Sequence, residues 1–362
     1  MTTQPSATAT PTDASAPPYA GGNPYADYRS GEFPFTELVD LADRRLGGAV
    51  LAANDELFAD RENLLLPHPA EFRPHTFGNK GQIMDGWETR RRRGADGRPH
   101  PGADEHDWAL IRLGVPGVVH GVVVDTAHFR GNHPLHVAVE GTELPGTPGP
   151  EELLAADTVW HPLVPRSPVR GHAANGFAVE GGRRFTHLRL RQYPDGGIAR
   201  LRVHGEARPD HAWLAALGTF DLAAVENGGT VEDASDRFFS SPVSIALPGK
   251  SGAMGDGWEN RRRRDGGHDW VRLRLAGRGA IRAVEIDTGY YVGNAAGWAG
   301  LWGRDEEAAD PDAWFELLPP TRLQPDAVHR LLIDAPRPAT HVRLDVFPDG
   351  GIARLRLHGS LV

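Results

Sequence analysis

Short runs in which apolar and polar residues alternate recur along the chain, separated by clusters of Gly, Pro, Asp and Asn. The clearest examples are residues 118–125, 186–193, 280–287 and 340–347. A period of two places one set of side chains on a core and the other in solvent, which is typical of half-buried strands. Short strands with turn-forming residues between them predict an all-β sandwich.

A tight turn follows two of these runs. Pro-Asp-Gly-Gly begins at Pro194 and again at Pro348. The proline fixes φ and the two glycines accept positive φ, so the chain reverses there. In both places Ile-Ala-Arg-Leu-Arg comes next and has the pattern of another strand. We therefore predict that a β-hairpin closes each half of the chain.

The same polar motifs occur twice in the same order, which identifies a tandem duplication. Asp-Gly-Trp-Glu, one further residue and four arginines occupy residues 85–93 and 256–264. The offset between the copies falls from 171 residues at Asp85 to 162 at Asp125 and 154 at Pro194, so the first copy has extra loop residues. A core constraint alone would repeat apolar residues, whereas most of what recurs here is polar.

The duplication sets the predicted domains. Residues 1–30 are rich in Thr, Pro, Ala and Ser and are expected to be a disordered tail. Residues 31–207 and 208–362 each have about the size of one jelly-roll domain. Helix is scarce, and residues 35–45 and 209–217 are compatible with a short helix or turn.

Composition narrows the class of protein. The chain has 362 residues, of which 40% are hydrophobic and 24% are charged, so we expect a globular protein. A net charge of -9 argues against a general nucleic-acid binder, because phosphate contact needs a basic face. No apolar run approaches the roughly 20 residues that cross a bilayer, so we predict no membrane association and a soluble, cytoplasmic protein.

Two residue types are almost absent, and each absence limits the chemistry. There are no cysteines, which removes disulfides, thiolate metal sites and cysteine nucleophiles and fits a reducing compartment. Lysine occurs only at Lys80 and Lys250, so nearly all positive charge belongs to arginine. Guanidinium groups remain ionised and suit two-bonded contacts with carboxylates. A small acidic ligand therefore stays in consideration.

The four consecutive arginines of each copy cannot all face one way, because successive side chains on a strand alternate between faces. We predict that about two in each copy face a ligand, namely Arg90 and Arg92, and Arg261 and Arg263. The alternative is a charged strand edge that discourages aggregation, and for any single arginine this alternative is favoured.

Further motifs offer acid, base and hydrogen-bonding groups. His-Asp-Trp begins at His106 and at His268, and it sets an imidazole beside a carboxylate. The alternative is that the tryptophan packs in the core while His and Asp cap a turn. Four other shared residues follow predicted strands, namely Asp125, Asn132, Asp287 and Asn294. Loops at strand ends often bind ligands, but Asp and Asn are also common turn-forming residues, so both roles are compatible with the sequence.

The copies differ at His128-Phe129, which corresponds to Tyr290-Tyr291. If only one copy is chemically competent, this position is where the difference is expected. No phosphate loop, Ser-His-Asp signature or closely spaced His zinc motif is present in the sequence. The spacing of carboxylates and histidines singles out no metal, so the metal ligands are left unassigned.

On these motifs the chain resembles the allantoicase family of ureide-degrading amidinohydrolases. The resemblance covers the Asp-Gly-Trp-Glu-arginine, His-Asp-Trp, Asp-Thr…Gly-Asn and Pro-Asp-Gly-Gly-Ile-Ala-Arg blocks and extends from about Phe33 to the C-terminus. The first copy departs slightly, because it lacks the glycine that follows Met254 in the second. The resemblance implies two jelly-roll domains of the galactose-binding type. It also implies conversion of allantoate and water to (S)-ureidoglycolate and urea in purine catabolism.

Allantoate has one carboxylate and two ureido groups on a single carbon, so the difficult step is the departure of neutral urea. Given the resemblance, we expect an arginine to bind the carboxylate and a Glu-His pair to supply acid and base. The predicted catalytic residues are Glu88, His106, His128, Glu259 and His268. The predicted substrate-binding residues are Asp85, Arg90, Arg92, Asp125, Asn132, Asp256, Arg261, Arg263, Asp287 and Asn294.

Several alternatives stay open at the level of sequence. No cofactor is required, but a divalent ion such as Mn²⁺ is an alternative means of polarising a ureido carbonyl. A non-catalytic carbohydrate- or ligand-binding module is the competing function, and a structural assembly subunit is a third. The predicted partner is the small molecule allantoate, and a homo-oligomer is compatible with the sequence. One site per copy and one composite site are both compatible with a duplication.

Overall fold

The computed structural model describes residues 10–11 and 33–362. The remainder of the predicted tail lies outside the described residues. The chain divides into two compact units, the first ending at Glu206 and the second running from Ala207 to Val362. Each unit is built almost entirely from strands that pair antiparallel.

The first unit takes its strands from the alternating runs and from several shorter segments. They are β1 (Thr10–Pro11), β2 (Val39–Asp40), β3 (Ala49–Ala53), β4 (Phe77–Gly78), β5 (Gly81–Gln82), β6 (Trp87–Glu88), β7 (Asp107–Asp125), β8 (His136–Thr142), β9 (His161–Pro168), β10 (Ala174–Ala178), β11 (Arg184–Tyr193), β12 (Gly197–Ile198) and β13 (Arg200–Ala207).

The second unit repeats the larger of these strands. They are β14 (Phe220–Asp221), β15 (Thr230–Ala234), β16 (Asp269–Asp287), β17 (Trp298–Arg304), β18 (Trp314–Arg322), β19 (Val328–Leu332), β20 (Pro338–Phe347) and β21 (Arg354–Leu361).

Strand β7 is 19 residues long, and its two halves have different neighbours. The first half pairs with β3 and β11, and the second half pairs with β10. Strand β13 also pairs with β7, with Gly205 lying against the carbonyl of Val118. One strand therefore contributes to both layers of the sandwich, which is how a long bent strand closes such a fold.

Strand β16 does the same in the second unit. Its first half pairs with β15 and β20, and its second half pairs with β19 and β21. Two consecutive units with the same pairing scheme are the structural form of the duplicated sequence. The prediction of an all-β tandem duplication of two jelly-roll sandwiches is confirmed.

The predicted closing hairpins are wrong. Strands β11 and β13 do not pair with each other, because β11 lies beside the first half of β7 and β13 pairs elsewhere along it. Pro-Asp-Gly-Gly carries the chain from one layer to the other. The turn residues specify a reversal of direction, but the partner of each strand is decided by the long strand between them.

Helices are few and short among the described residues. The α-helices are α1 (Pro150–Leu153) and α2 (His211–Leu217), and Asp210 caps α2 by accepting from the backbone N–H of Ala212. Single 3₁₀ turns are Pro34–Glu37, Arg44–Leu46, Arg61–Leu65, Ala95–Gly97, Val225–Asn227, Pro242–Ala246 and Met254–Asp256. No helix in this part of the chain is long and apolar enough to cross a bilayer.

The tryptophan of the repeated motif anchors the site. Trp87 is fully buried and its Nε1 donates to the carbonyl of Asp55 at 2.8 Å. Strand β6 pairs with β12, so that Glu88 is opposite Gly197. Neighbouring side chains on a strand point to opposite faces. Because Trp87 enters the core, Glu88 is directed outward.

Candidate active site

Glu88, His128 and Asn132 line one pocket of the first unit, with a volume of about 310 Å³. Strand β6 supplies the glutamate, and the loop that follows β7 supplies the other two. This volume lies at the lower end of the range for small-molecule sites, about 300–1,000 Å³. The complete lining is Phe58, Phe72, Lys80, Gly81, Gln82, Met84, Glu88, His128, Arg130, Gly131 and Asn132.

Glu88 is a partly buried carboxyl group with one polar contact. Burial raises its pKa above the ordinary value for glutamate, while the hydrogen bond from Asn132 acts in the opposite direction. Asn132 Nδ2 donates to Glu88 Oε1 at 2.8 Å. The second oxygen of Glu88 has no hydrogen-bond partner among the described residues. A carboxyl group in this environment holds its proton to higher pH than a solvated one, which suits a general acid.

His128 is held in one tautomer. Its Nε2 lies 3.1 Å from the carbonyl oxygen of Ala70, and its ring stacks on Phe72 with centroids 5.6 Å apart. Because a carbonyl only accepts, Nε2 donates in this contact, and in the neutral ring Nδ1 then keeps the lone pair. Nδ1 has no hydrogen-bond partner in the described part of the chain, so His128 has the form of a general base.

A short hairpin made of β4 and β5 forms one wall of the pocket. Lys80, Gly81 and Gln82 come from this hairpin, and Phe72 precedes it in the chain. Eighteen residues separate Leu66 from Asp85 in the first unit, against eight between their counterparts in the second, Leu247 and Asp256. The wall is thus an insertion that the second copy lacks.

Lys80 and Arg130 also line the pocket, although neither was among the residues predicted from the sequence. Neither has an ion-pair partner within the described residues. Arg130 corresponds to Val292 in the second copy, two residues beyond the exchange of His128 for Tyr290. The copies differ at both positions, whereas the Gly-Asn that follows at Gly131 and Gly293 is retained, so the difference is visible in the sequence although its role is not.

The predicted substrate-binding arginines are engaged elsewhere. Arg90 pairs with Asp55, and Arg92 pairs with the buried Asp107 and donates to the backbone carbonyl of His106 at 2.8 Å. None of these groups is among the residues that line the Glu88 pocket.

The same arrangement recurs in the second unit. Arg261 pairs with Asp236 at 2.7 Å, and Arg263 pairs with Asp269 at 2.7 Å. In each motif one arginine therefore pairs with the first residue of a long strand, β7 or β16, and another pairs with an aspartate in the loop after β3 or β15, so the partners recur together with the arginines.

His106 and His268 lie at equivalent places outside the Glu88 pocket. His106 Nδ1 contacts the carbonyl of Asp104 at 2.8 Å, and its ring packs on Tyr193. Burial lowers the pKa of His106. His268 Nε2 lies 3.4 Å from Asp345, and its ring packs on Phe347. The structure does not place either histidine beside a glutamate of the repeated motif.

The predicted aspartates have structural partners. Asp85 accepts from the fully buried Arg200 at 2.8 Å and from the backbone N–H of Glu71 at 2.8 Å. Burial works to raise the pKa of Asp85, but these hydrogen bonds and the guanidinium charge hold it below its usual value. Asp125 is buried and accepts from the backbone N–H of Ala127 at 2.8 Å.

Asp256 and Asp287, their counterparts in the second unit, also accept hydrogen bonds from backbone N–H groups. Asp287 accepts from the backbone N–H of Gly289 at 2.7 Å, and Asp256 accepts from that of Gly252 at 2.9 Å. Arg354 donates to the backbone carbonyl of Asp256 at 2.7 Å, as Arg200 does to that of Asp85 at 3.3 Å.

The second unit retains the carboxyl-amide pair but not the imidazole and guanidinium groups that lie near it in the first unit. Asn294 Nδ2 donates to Glu259 Oε1 at 2.7 Å. Tyr290 and Val292 stand where the first unit has His128 and Arg130. The counterpart of the pocket therefore offers neither an imidazole nor a guanidinium at those two positions.

The donor groups of the Glu88 pocket do not suggest a metal. One carboxylate and one imidazole line it, from Glu88 and His128. Catalytic zinc sites use three protein ligands. Within the described residues no group of three or more His, Cys, Asp or Glu side chains is arranged to hold a metal ion.

A family model described as "Allantoicase repeat" matches residues 39–208 and 220–362. The chain belongs to the allantoicase family. It is 63% identical to a probable allantoicase from Streptomyces avermitilis, over 96% of this chain and 92% of the relative. It is 54% identical to a probable allantoicase from Nocardia farcinica, over 90% of this chain and 95% of the relative.

A solved structure of the family agrees with this assignment. The crystal structure of allantoicase from Saccharomyces cerevisiae is similar with a TM-score of 0.74 and 32% identity, and the match covers 92% of this chain and 98% of that one. The allantoicase fold thus extends over both units, and this family member is a hydrolase of carbon–nitrogen bonds.

Asp85 is expected to stabilise the fold of this allantoicase-family chain. Replacement by alanine leaves the buried Arg200 guanidinium without its carboxylate, so Asp85→Ala should lower the free energy of unfolding by about 3 kcal/mol. Chemical denaturation measures this change. Arg73→Ala, which removes the exposed Arg73–Glu71 pair, is the control and should have little effect. Normal stability of Asp85→Ala with loss of urea release would instead assign Asp85 to the substrate.

Proposed function

We propose that the chain hydrolyses allantoate to (S)-ureidoglycolate and urea, and that the reaction takes place in the Glu88 pocket. The activity is that of the family. The location is supported by one observation: Glu88 and His128 line the same pocket, together with two cations. Glu88 has a raised pKa, and Nδ1 of neutral His128 keeps a lone pair. An acid, a base and a carboxylate-binding group are what this reaction needs.

The substrate carboxylate binds to Arg130 in this proposal, with Lys80 contributing a second positive charge. Both line the pocket, and neither has an ion-pair partner among the described residues. A guanidinium can form two parallel hydrogen bonds with a carboxylate, which fixes the orientation of the central carbon. Asn132 Nδ2 is engaged by Glu88, so its Oδ1 is the atom left to accept a hydrogen bond from a ureido N–H.

The chemical step moves one proton to the leaving group and one away from water. Asn132 donates to Oε1 of Glu88, so the acidic proton of Glu88 belongs on Oε2. This proton passes to the nitrogen of the departing ureido group as the carbon–nitrogen bond breaks. His128 Nδ1 takes a proton from water as the carbon–oxygen bond forms. Return of that proton from His128 to Glu88 restores both groups, and the net reaction consumes one water.

The second unit does not catalyse the reaction in this proposal. Glu259 keeps its asparagine, but Tyr290 replaces the imidazole and Val292 replaces the guanidinium. The inserted hairpin that walls the first pocket is also absent from the second sequence. A homo-oligomer and a cytoplasmic location stay predictions of the sequence.

The decisive experiment compares the two glutamates. Glu88→Gln removes the transferable proton while keeping the shape and the contact with Asn132, so urea release from allantoate should fall by about 10²–10⁴-fold. Glu259→Gln is the matched control and should retain turnover within about threefold, since its unit lacks the partner groups. Equal losses in both variants, or normal turnover by Glu88→Gln, would contradict the assignment. No urea from the unaltered protein would favour a binding module.

The role of Arg130 is tested through the Michaelis constant. Arg130→Ala removes binding energy for the substrate carboxylate, so KM should rise by about tenfold or more while kcat changes less. Arg262→Ala, at an exposed arginine of the second unit, controls for loss of surface charge. An unchanged KM in Arg130→Ala would place the carboxylate on another group.

Metal dependence follows from the donor set of the pocket. We expect urea release by chelator-treated protein to match that of untreated protein, because Glu88 and His128 supply fewer ligands than a catalytic metal needs. Steady-state rates with and without added Mn²⁺ measure this. Activity that is lost on chelation and restored by Mn²⁺ would instead support a Lewis acid at the ureido carbonyl.

A further inference from the structure

A buried histidine that does not line the pocket holds the backbone of His128. The backbone N–H of His128 donates to Nδ1 of His172 at 2.8 Å, and the two rings lie 5.3 Å apart. His172 is only 5% exposed. Both residues have the left-handed backbone, with φ of 69° at His128 and 54° at His172. Non-glycine residues keep this conformation only where their surroundings impose it.

His172 is itself fixed beneath the loop that carries the site. Its backbone N–H contacts the carbonyl oxygens of Thr126 and Phe129, each at 3.0 Å. The loop then continues through Arg130 to Asn132. His172 therefore contacts the segment from Thr126 to Phe129, which contains His128 and leads to the other pocket residues of the loop, Arg130, Gly131 and Asn132.

The second unit makes the same contact with a different side chain. The backbone N–H of Tyr290, whose φ is 68°, donates to Oδ1 of Asp326 at 2.8 Å, and φ of Asp326 is 50°. The surrounding contacts also match, since Thr288 Oγ1 donates to the carbonyl of Gln324 at 2.6 Å. Thr126 Oγ1 makes the corresponding bond in the first unit, at 2.5 Å. An imidazole and a carboxylate differ in shape and charge, and in both units the side chain accepts this N–H.

We propose that His172 is a positioning residue for the reaction. Its Nδ1 lone pair fixes the backbone at His128, and this sets the direction of the His128 ring and the path of the loop to Arg130 and Asn132. The inference rests on the proposed function, because it assigns importance to His172 only through those groups. His172 accepts only when neutral, and burial, with the charge of Arg130 adding to it, lowers its pKa and favours that state.

Three variants test the proposal by their kcat, KM and melting temperature. His172→Gly removes the acceptor without imposing strain, because glycine adopts positive φ freely. His172→Asp keeps an acceptor and copies the second unit. Asp326→Gly breaks the same bond in the second unit and is the matched control.

We expect His172→Gly to lower kcat by about tenfold or more with a smaller change in KM, since small displacements of catalytic groups have large effects on rate. His172→Asp should restore kcat to within about threefold of the unaltered protein. Asp326→Gly should lower the melting temperature about as much as His172→Gly but leave kcat within about twofold.

Other outcomes overturn the proposal. Normal kcat in His172→Gly, or equal loss of kcat in His172→Gly and Asp326→Gly, shows that the contact does not position the site. A His172→Asp variant that folds but is as slow as the glycine variant shows that the acceptor is not the relevant property. If His172→Gly does not fold, His172→Asp decides alone, because near-normal kcat supports the proposal and a tenfold loss contradicts it.

Glu88→Gln, assayed in parallel, separates the two proposals. Loss of turnover in Glu88→Gln with normal turnover in His172→Gly rejects only the positioning role. Normal turnover in Glu88→Gln rejects the proposed site itself, whatever the His172 variants do.

Discussion

A strand that belongs to both layers of a sandwich is the constraint on which each unit depends. In the first unit this strand is β7, and both of its ends are tied by side chains. At its start Asp107 pairs with Arg92 and accepts from Asn54. At its end Asp125 caps the following turn, and its carbonyl accepts from the backbone N–H of Ala199 at 2.8 Å. The site loop begins directly after this end, so its position is set by the long strand.

The repeated polar motifs divide into residues that maintain the fold and residues that can serve chemistry. Arg92 and Asp107 have the same contact as Arg263 and Asp269 in the second unit. A charged group that is withdrawn from water must keep its partner, because a buried charge without one is strongly destabilising. This requirement is sufficient to explain why Arg92 recurs with Asp107 as Arg263 recurs with Asp269. Glu88 differs from them, since its partner is the neutral amide of Asn132.

Duplication gave two similar scaffolds. Differences at a few residues decide which ionisable side chains each of them offers. The framework around the loop is alike in both, and in each a side chain accepts from the N–H of the left-handed residue, His172 in the first unit and Asp326 in the second. An insertion between Leu66 and Asp85 walls the pocket in the first unit. Two exchanges, His128 for Tyr290 and Arg130 for Val292, then decide which unit offers an ionisable set. Loops tolerate such changes because the strands beneath them carry the stability.

The sequence by itself determined the β class, the duplication and the family, because alternation and repeated motifs are local signals. It also selected Glu88, His128 and Asn132 among its candidates. Only the tertiary structure decided which candidates meet, since residues far apart in the chain come together through strand pairing. The prediction of closing hairpins was wrong for this reason, because a turn motif specifies that the chain reverses but not which strand it then pairs with. The same limit hid Arg130, whose exposed guanidinium acquires meaning only beside Glu88 in the folded pocket.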